Sequence, residues 1–158
     1  MSVQTKTTAD QSVDAITDAL ITASRLLVSI SARSIAEVDD SITIPQFRVL
    51  VILSSRGVTN LTTLAGLLDV QPSTIGRMAE RLVGAGLIDR RPHPSSRREL
   101  VVELTTRGRK VVRTVTARRR AEIAKVVAAM PARERHGLIS ALTSFTEAGG
   151  EPPADIDF

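Results

Sequence analysis

The spacing of apolar residues changes at Gly86, and this change limits the folds that the chain can adopt. Before Gly86, segments 61–69 and 72–86 have apolar residues every three or four positions, which is typical of two short amphipathic helices joined by a tight turn. After Gly86, the spacing falls to about two in segments 87–91 and 99–105, which predicts the strands of a β-hairpin around a Pro-containing loop. The order is therefore helix, turn, helix and hairpin.

Longer apolar patterns flank this segment. Near the N-terminus, apolar residues recur every three or four positions, a heptad-like seam that predicts one long helix packed lengthwise against another helix. The seam consists of Val13, Ile16, Leu20, Ala23, Leu27 and Ile30. A second helix is predicted from Pro45 to Arg56, because proline is tolerated in a first helical turn and Gly57 is a common helix end.

Two further helices are predicted after the hairpin. Thr105 or Thr106 can cap a long helix, which Met130-Pro131 interrupts because proline lacks the N–H that an internal helical hydrogen bond needs. A last helix then presents an apolar face made of Leu138, Ile139, Leu142 and Phe145. A chain of 158 residues has room for one domain, so the predicted fold class is mainly α with a small β-hairpin.

The composition excludes several classes of function. The chain contains no cysteine, which excludes a disulfide framework, a thiol redox switch and thiolate metal sites. Aromatic residues amount to 2%, too few to line a stacking track for single-stranded nucleic acid. The uninterrupted apolar runs are far shorter than a membrane span and residues 1–10 are polar, so we expect a cytoplasmic protein.

Positive charge is concentrated in the middle of the chain. Residues 87–120 carry eleven Lys or Arg against three acids, whereas residues 1–44 and 121–158 each carry three against six. A basic middle between two acidic ends is expected when one surface contacts a polyanion and the ends have another role. Double-stranded DNA is a partner that fits a hairpin with arginine pairs on both sides of its tip.

The helix-turn-helix and the hairpin together predict a winged helix-turn-helix that binds duplex DNA. The second helix would enter the major groove with its N-terminal residues, since a helix fits that groove and its first turns reach the base edges. The outward positions there are small or polar. They are Ser73, Thr74, Gly76 and Arg77. Of these, Ser73, Thr74 and Arg77 are candidate DNA contacts, together with Pro72, which opens the helix.

The hairpin tip is predicted to act as the wing. Arg97 and Arg98 are its candidate DNA contacts, because a narrow A·T-rich minor groove favours an inserted arginine. Arg90 and Arg91, on the other strand, are expected to touch phosphates or to remain solvated. Each candidate also has a purely structural interpretation, because arginine is usually a solvated surface charge and Ser or Thr often satisfies backbone donors in a first helical turn.

Three other functions are compatible with the sequence. An enzyme is disfavoured, because the two histidines, His93 and His136, lie far apart and no nucleophile elbow or glycine-rich phosphate loop is present; for the same reasons we expect no metal site and no cofactor. A winged-helix module that binds another protein would lack the steep salt dependence of phosphate contacts. A non-specific architectural DNA-binding protein would show little sequence preference.

The segment from Thr43 to Gly108 resembles the MarR family of winged helix-turn-helix transcription regulators. The similarity lies in three spans that occur in that family's order and spacing, namely TIPQFRVLVIL, LTTLAGLLDVQPSTIGRMAERLVGAGLIDRRP and SSRRELVVELTTRG. The resemblance implies a single domain over residues 1–158. It divides into dimerisation helices at 11–37 and 107–148, a winged helix-turn-helix at 45–105, and ends expected to be flexible at 1–10 and 149–158.

The resemblance also implies a function and a set of partners. The expected protein is a homodimeric repressor of nearby genes that reads a pseudo-palindromic operator and is released by a small lipophilic or phenolic effector. Ser73, Thr74 and Arg77 fall at recognition-helix positions and Arg98 at the wing arginine. Ser96 stands where the family usually has an aspartate that orients the wing arginine, so Arg97 is an alternative to Arg98 in the minor groove.

Overall fold

The computed structural model describes the backbone of residues 2–151 and 153, with side chains from residue 12 onward except at residue 97. The first helix, α1, spans Ser2–Ala36. It begins before the predicted boundary at residue 11, because extending a helix costs far less than nucleating one. Residues 154–158, in the tail expected to be flexible, lie outside the described residues.

The second helix, α2, spans Ile44–Arg56 and begins with a capping box. The hydroxyl oxygen of Thr43 accepts a hydrogen bond from the backbone N–H of Gln46, and the Gln46 side chain accepts one from the N–H of Thr43, with Pro45 in the first turn. Gly57 ends the helix with a φ of 76°, which glycine adopts without strain. The predicted helix is confirmed to within one residue.

The helix-turn-helix consists of α3 (Leu61–Leu68) and α4 (Pro72–Gly84). Asn60 caps α3, because its Oδ1 accepts a 2.7 Å hydrogen bond from the N–H of Thr63. Asp69 ends α3 in the left-handed conformation, with a φ of 52°. The predicted tight turn between the two helices is thus confirmed.

A small antiparallel sheet completes the winged segment. Its strands, β1 (Thr59–Asn60), β2 (Ile88–His93) and β3 (Ser96–Leu104), lie in the order β1-β3-β2. The hairpin between β2 and β3 turns at positions 94–95, so the strands are longer and the loop is shorter than the sequence predicts. The prediction of a longer loop is wrong. The ends of the two strands lie in the exposed wing tip, where apolar and polar residues need not alternate, so they leave no periodic signal in the sequence.

The hydrophobic core connects these elements to the start of the long helix α5 (Thr106–Ala129). Its buried side chains include Phe47, Leu50, Leu53, Leu64, Ile75, Leu82, Val111, Val112 and Val115. Leu67 and Val83 follow the apolar spacing of α3 and α4 but are 38% and 36% exposed. Leu67 lies beside the face of α3 that is buried at Leu64 and Ala65, and it is only partly covered.

A close backbone contact fixes α5 against the junction of α4 and β2. At Gly108, a Cβ atom would lie 2.1 Å from the carbonyl oxygen of Leu87. Thr105 is the N-cap: its hydroxyl accepts a hydrogen bond from the N–H of Gly108 and donates one to the carbonyl of Gly86. The approach that Gly108 permits therefore places α5 beside the wing.

The helices outside the winged segment expose apolar side chains. After the predicted break at Met130-Pro131, α6 (Ala132–Arg135) and α7 (Leu138–Ala148) follow. Exposed fractions reach 62% at Val13 and 83% at Ile139. The part of α1 from Ser12 to Ala36 meets the length and mean hydropathy (1.4) of a membrane-spanning helix, although it is interrupted by charges. These are Asp14, Asp18, Arg25 and Arg33.

Candidate nucleic-acid interface

The outward face of α4 begins with the residues that the sequence nominates for DNA contact. Pro72, Ser73 and Arg77 are exposed, and Thr74 is half-buried. The opposite face packs into the core through Ile75, Ala79 and Leu82. The side chain of Gln71, at the N-cap, makes no capping hydrogen bond, which leaves backbone donors of the first turn available to an anion.

The wing presents Arg98 from an irregular part of β3. Consecutive β2 residues Pro92 and His93 pair with Leu100 and Ser96, so β3 bulges between these two pairs. Bulges redirect side chains and increase local twist. Arg98 lies in this bulge and is exposed. The side chain of Arg97, the other candidate wing residue, lies outside the described residues.

The arginines of β2 differ in their surroundings. Arg91 forms an ion pair with Glu103 on the neighbouring β3, and Arg90 is exposed. The charge of Arg91 is therefore partly neutralised within the wing. Of the two arginines, Arg90 is the better placed to contact a phosphate.

A side-chain bond joins the base of the wing to α3, and sequence reasoning missed it. The Nδ2 of Asn60 donates a 2.6 Å hydrogen bond to Oε1 of Glu99, while Oδ1 of Asn60 caps α3. An open cavity of about 360 Å³ lies beside this bond. Its lining comprises Leu61, Thr62, Ser96, Arg98, Glu99 and Leu100. The sequence feature that could have drawn attention to this site is Glu99, a single acid directly after two arginines.

The histidines occupy structural or solvent-exposed positions. The Nδ1 of His93 accepts a 3.1 Å hydrogen bond from the N–H of Ser95, which stabilises the wing turn. His136 is exposed in the segment between α6 and α7. Within the part of the chain that the structure describes, no group of three or more His, Asp or Glu side chains is placed to hold a metal ion.

One buried polar atom lies away from the wing, on α5. The Nε of Arg119 is buried and has no hydrogen-bond partner among the described residues. Burial also lowers the pKa of Arg119 from its ordinary value. This atom marks α5, like the exposed face of α1, as a surface that the single chain leaves incomplete.

The exposed recognition face of α4 and the basic wing beside the helix-turn-helix define a winged helix-turn-helix protein. The model of the MarR family matches residues 42–100. The chain belongs to the MarR family of transcription regulators. This membership confirms the predicted family and fold class, and it confirms the prediction that the chain is not an enzyme.

Individual relatives agree with this assignment. The multiple antibiotic resistance protein MarR of Escherichia coli is 36% identical over 67 residues, which cover 42% of this chain and 46% of that protein, so the match spans about half the length of this curated relative. The crystal structure of RV1404 from Mycobacterium tuberculosis is 70% identical, has a TM-score of 0.84, and the match covers 91% of this chain and 98% of that one.

A third relative shares the fold at lower identity. The crystal structure of a mutant MarR from Escherichia coli, complexed with operator DNA, is 21% identical, with a TM-score of 0.66. The match covers 85% of this chain and 95% of that one. At this identity the similarity establishes the common fold.

Proposed function

We propose that this chain is a homodimeric transcription regulator that binds double-stranded DNA in a sequence-specific way and represses nearby genes. The observation that carries the proposal is the exposed, polar beginning of α4 together with the exposed Arg98 of the wing. A winged helix-turn-helix uses these two surfaces in the major and minor grooves. The operator-bound structure of the Escherichia coli relative supports the same use of the fold.

Each candidate residue has a proposed role. Ser73 and Arg77 reach base edges from the exposed side of α4, and the half-buried Thr74 contacts the sugar-phosphate backbone. Pro72 opens the helix and leaves its first turn free to approach a phosphate. Arg98, with Arg97 as the alternative, inserts into the minor groove.

The exposed apolar residues of α1 and α7 support a homodimer. Residues 11–37 and 107–148 form the dimerisation helices, and residues 45–105 form the winged helix-turn-helix. A second copy would cover the α1 seam and the face that contains Ile139 and Phe145. Two-fold symmetry then places two recognition helices about one turn of DNA apart, which suits a pseudo-palindromic operator.

Dimerisation accounts for α1 better than membrane insertion does. Charged residues recur along the segment from Ser12 to Ala36, and each would be costly inside a bilayer. In a dimer, the same charges can stay on the solvent side of the helix while the apolar seam is buried. We therefore assign the protein to the cytoplasm, where the DNA is.

A small lipophilic or phenolic effector completes the proposal. A cavity of about 300 Å³ lies between the loop before α2 and the end of α4, with both apolar and polar side chains in its lining. They include Ile42, Thr43, Gln46, Arg81 and Leu82. An effector bound in this cavity, against α4, would act by favouring a spacing of the two winged segments that does not fit DNA.

The first experiment is a binding titration of the purified protein. One duplex comes from the region upstream of its own gene and the other is a scrambled control, and each is measured at two salt concentrations. Tight, salt-sensitive binding with a preference for the upstream duplex is expected, because phosphate contacts release counterions and base contacts add specificity. Equal binding to both duplexes would support an architectural protein, and no binding at low salt would support a protein partner.

A further inference from the structure

We propose that Glu99 is a positioning residue, which holds the wing against α3 through Asn60 so that Arg98 faces the DNA. The inference rests on the proposed DNA-binding function and assigns a role to an acidic residue within it. Glu99 is the only acid from Pro92 to Val102, and its charge alone would oppose DNA binding at this site. Such a residue is easier to understand as part of the wing's support than as a DNA contact.

The geometry of the Asn60 amide carries the first step. Its Nδ2 donates a 2.6 Å hydrogen bond to Oε1 of Glu99, and its Oδ1 accepts a 2.7 Å hydrogen bond from the N–H of Thr63. One amide group therefore serves as the N-cap of α3 and as the anchor of the wing. Because the two ends of the amide have different partners, each bond fixes the orientation that the other one needs.

The backbone of the sheet leaves this part of the wing weakly held. The strand β1 ends at Asn60, which pairs with Val101, so Glu99 lies just beyond the end of that short ladder. On the other side, β3 bulges between the Leu100 and Ser96 pairs. The segment that carries Arg98 therefore depends on a side-chain bond for its direction.

The half-buried position of Glu99 strengthens the bond. Its carboxylate is neither free in solvent nor ion-paired among the described residues, and Asn60 is half-buried as well. A hydrogen bond to a charged acceptor is shorter and stronger than one between neutral groups. Losing it should release the Arg98 segment while the core of the helix-turn-helix stays folded.

The test compares two variants that lack the same charge. Glu99→Gln keeps an oxygen that can accept from Asn60, whereas Glu99→Ala removes the acceptor. Each full-length protein is titrated against the operator and against a duplex whose A·T-rich flanks are replaced by G·C pairs. We expect Glu99→Ala to bind the operator about fivefold more weakly than Glu99→Gln, with little preference left between the two duplexes. Equal affinity and equal flank preference in the two variants would overturn the proposal.

A swap of donor and acceptor provides an independent test. Asn60→Asp keeps a capping oxygen for Thr63 but faces Glu99 with a second carboxylate, so the flank preference should fall. Adding Glu99→Gln to this variant restores a donor–acceptor pair and the original net charge, and the flank preference should return to within about twofold of the starting protein. A folded double variant without this recovery would contradict the inference.

Amide hydrogen exchange of the free protein separates this inference from the proposed function. Faster exchange at residues 96–100 in Glu99→Ala than in Glu99→Gln is expected whether or not DNA is present. If the unaltered protein does not distinguish the operator from a scrambled duplex, the proposed function fails. Unchanged exchange in the wing would overturn the positioning role itself.

Discussion

The winged segment and the long helices differ in how completely a single chain buries their apolar side chains. In the winged segment, the core side chains Leu50, Leu64 and Leu82 are almost fully buried, and both α2 and α3 have side-chain N-caps. Along α1 and α7, by contrast, Val13, Ile139 and other apolar residues face solvent. The first region buries its apolar side chains within the single chain, together with Ile35 of α1 and the start of α5, whereas the second needs a further surface to bury its own.

This difference separates two kinds of information in the sequence. Local signals such as caps and turn residues specify the winged segment within one chain. Most of the heptad-like seam of α1, apart from the buried Ile30, is left uncovered by the single chain and would be buried by a second copy. The Nε of Arg119, which has no hydrogen-bond partner among the described residues, fits the same division, since it lies on α5 among the helices that we assign to dimerisation.

Removing residues 1–35 is expected to have the largest effect. The deletion takes away the apolar seam of α1 and also Ile30 and Ile35, which are buried against the rest of the chain. We expect an unstable or monomeric protein, measured by sedimentation and thermal unfolding. A stable dimer after this deletion would place the interface elsewhere, and α1 would then not be the region that needs a second chain.

A point variant tests the same dimer interface without shortening the chain. Ile139→Asp places a charge on the apolar face of α7, where the side chain is 83% exposed in the single chain. It should leave the fold intact but favour the monomer, because a dimer would have to bury the new charge. Ser144→Asp, on the opposite side of α7, is the matched control and should remain dimeric.

The contact at Gly108 is the next largest test and concerns the packing of α5 on the winged segment. Gly108→Ala would drive a Cβ into the carbonyl oxygen of Leu87, so we expect a loss of about 1–3 kcal/mol in the free energy of unfolding, as for other overpacked sites. Gly66→Ala is the control, because a Cβ at Gly66 meets nothing within 4 Å and alanine favours the helix. Equal stability of the two variants would mean that α5 can move away from the wing.

Arg77→Ala tests the reading surface of the winged segment. If Arg77 contacts a base, we expect specific binding to weaken by about 1–3 kcal/mol and the sequence preference to change at one operator position. Arg113→Ala removes the same charge from an exposed site on α5 and is the control. A uniform loss on every duplex would instead make Arg77 a phosphate contact.

Arg98→Ala should have a smaller effect, because the wing adds to a site that α4 already reads. We expect a loss of about 1 kcal/mol on an A·T-rich operator and less on a duplex with G·C flanks, since a narrow minor groove attracts arginine. The affinities of both duplexes are measured at one salt concentration. Unchanged affinity for the A·T-rich operator would exclude Arg98 from the groove and leave Arg97 as the wing contact.

The sequence predicts much of the fold because many of its signals are local. Pro45 and Gly57 each mark a helix end within a few residues of the signal, and both predictions are confirmed. The length of the wing strands was not predictable, because exposed strands lack an apolar period. The bond from Asn60 to Glu99 was not predictable either, since it joins residues 39 positions apart across a bulge.

The candidate site is predictable in its placement but not in its fine geometry. Exposure of Ser73 and Arg77 follows from the helical period of α4, which buries Ile75 and Leu82 on the other side. Neutralisation of Arg91 by Glu103 depends on the register of β2 and β3, and the sequence pattern left that register open. The roles of Ser73 and Arg77 in DNA binding stay predictions, which the binding titrations test.

The smallest expected effect lies in the loop that joins the two regions. The hydroxyl of Ser41 donates to the Asp39 carboxylate, and this bond, with help from the N–H of Ser41 and the charge of Arg107, holds the pKa of Asp39 below its ordinary value. A carboxyl whose pKa is lowered by folding adds stability above its unfolded pKa and loses that contribution as the pH falls through its folded pKa.

Ser41→Ala should therefore raise the pKa of Asp39 and slightly lower the free energy of unfolding at neutral pH. The loss should be at most about a few tenths of a kcal/mol, because the pair is largely solvated. The pKa is measured by NMR titration of the carboxyl carbon, and stability by denaturant unfolding at pH 7 and at pH 3. The difference between Ser41→Ala and the unaltered protein should shrink at pH 3, where Asp39 is protonated in more of the molecules. Ser55→Ala, which removes a hydroxyl bonded only to carbonyls of its own helix, should not move the pKa of Asp39. An unmoved pKa in Ser41→Ala would show that the N–H of Ser41 and the charge of Arg107 on α5 hold the carboxylate of Asp39 without the hydroxyl.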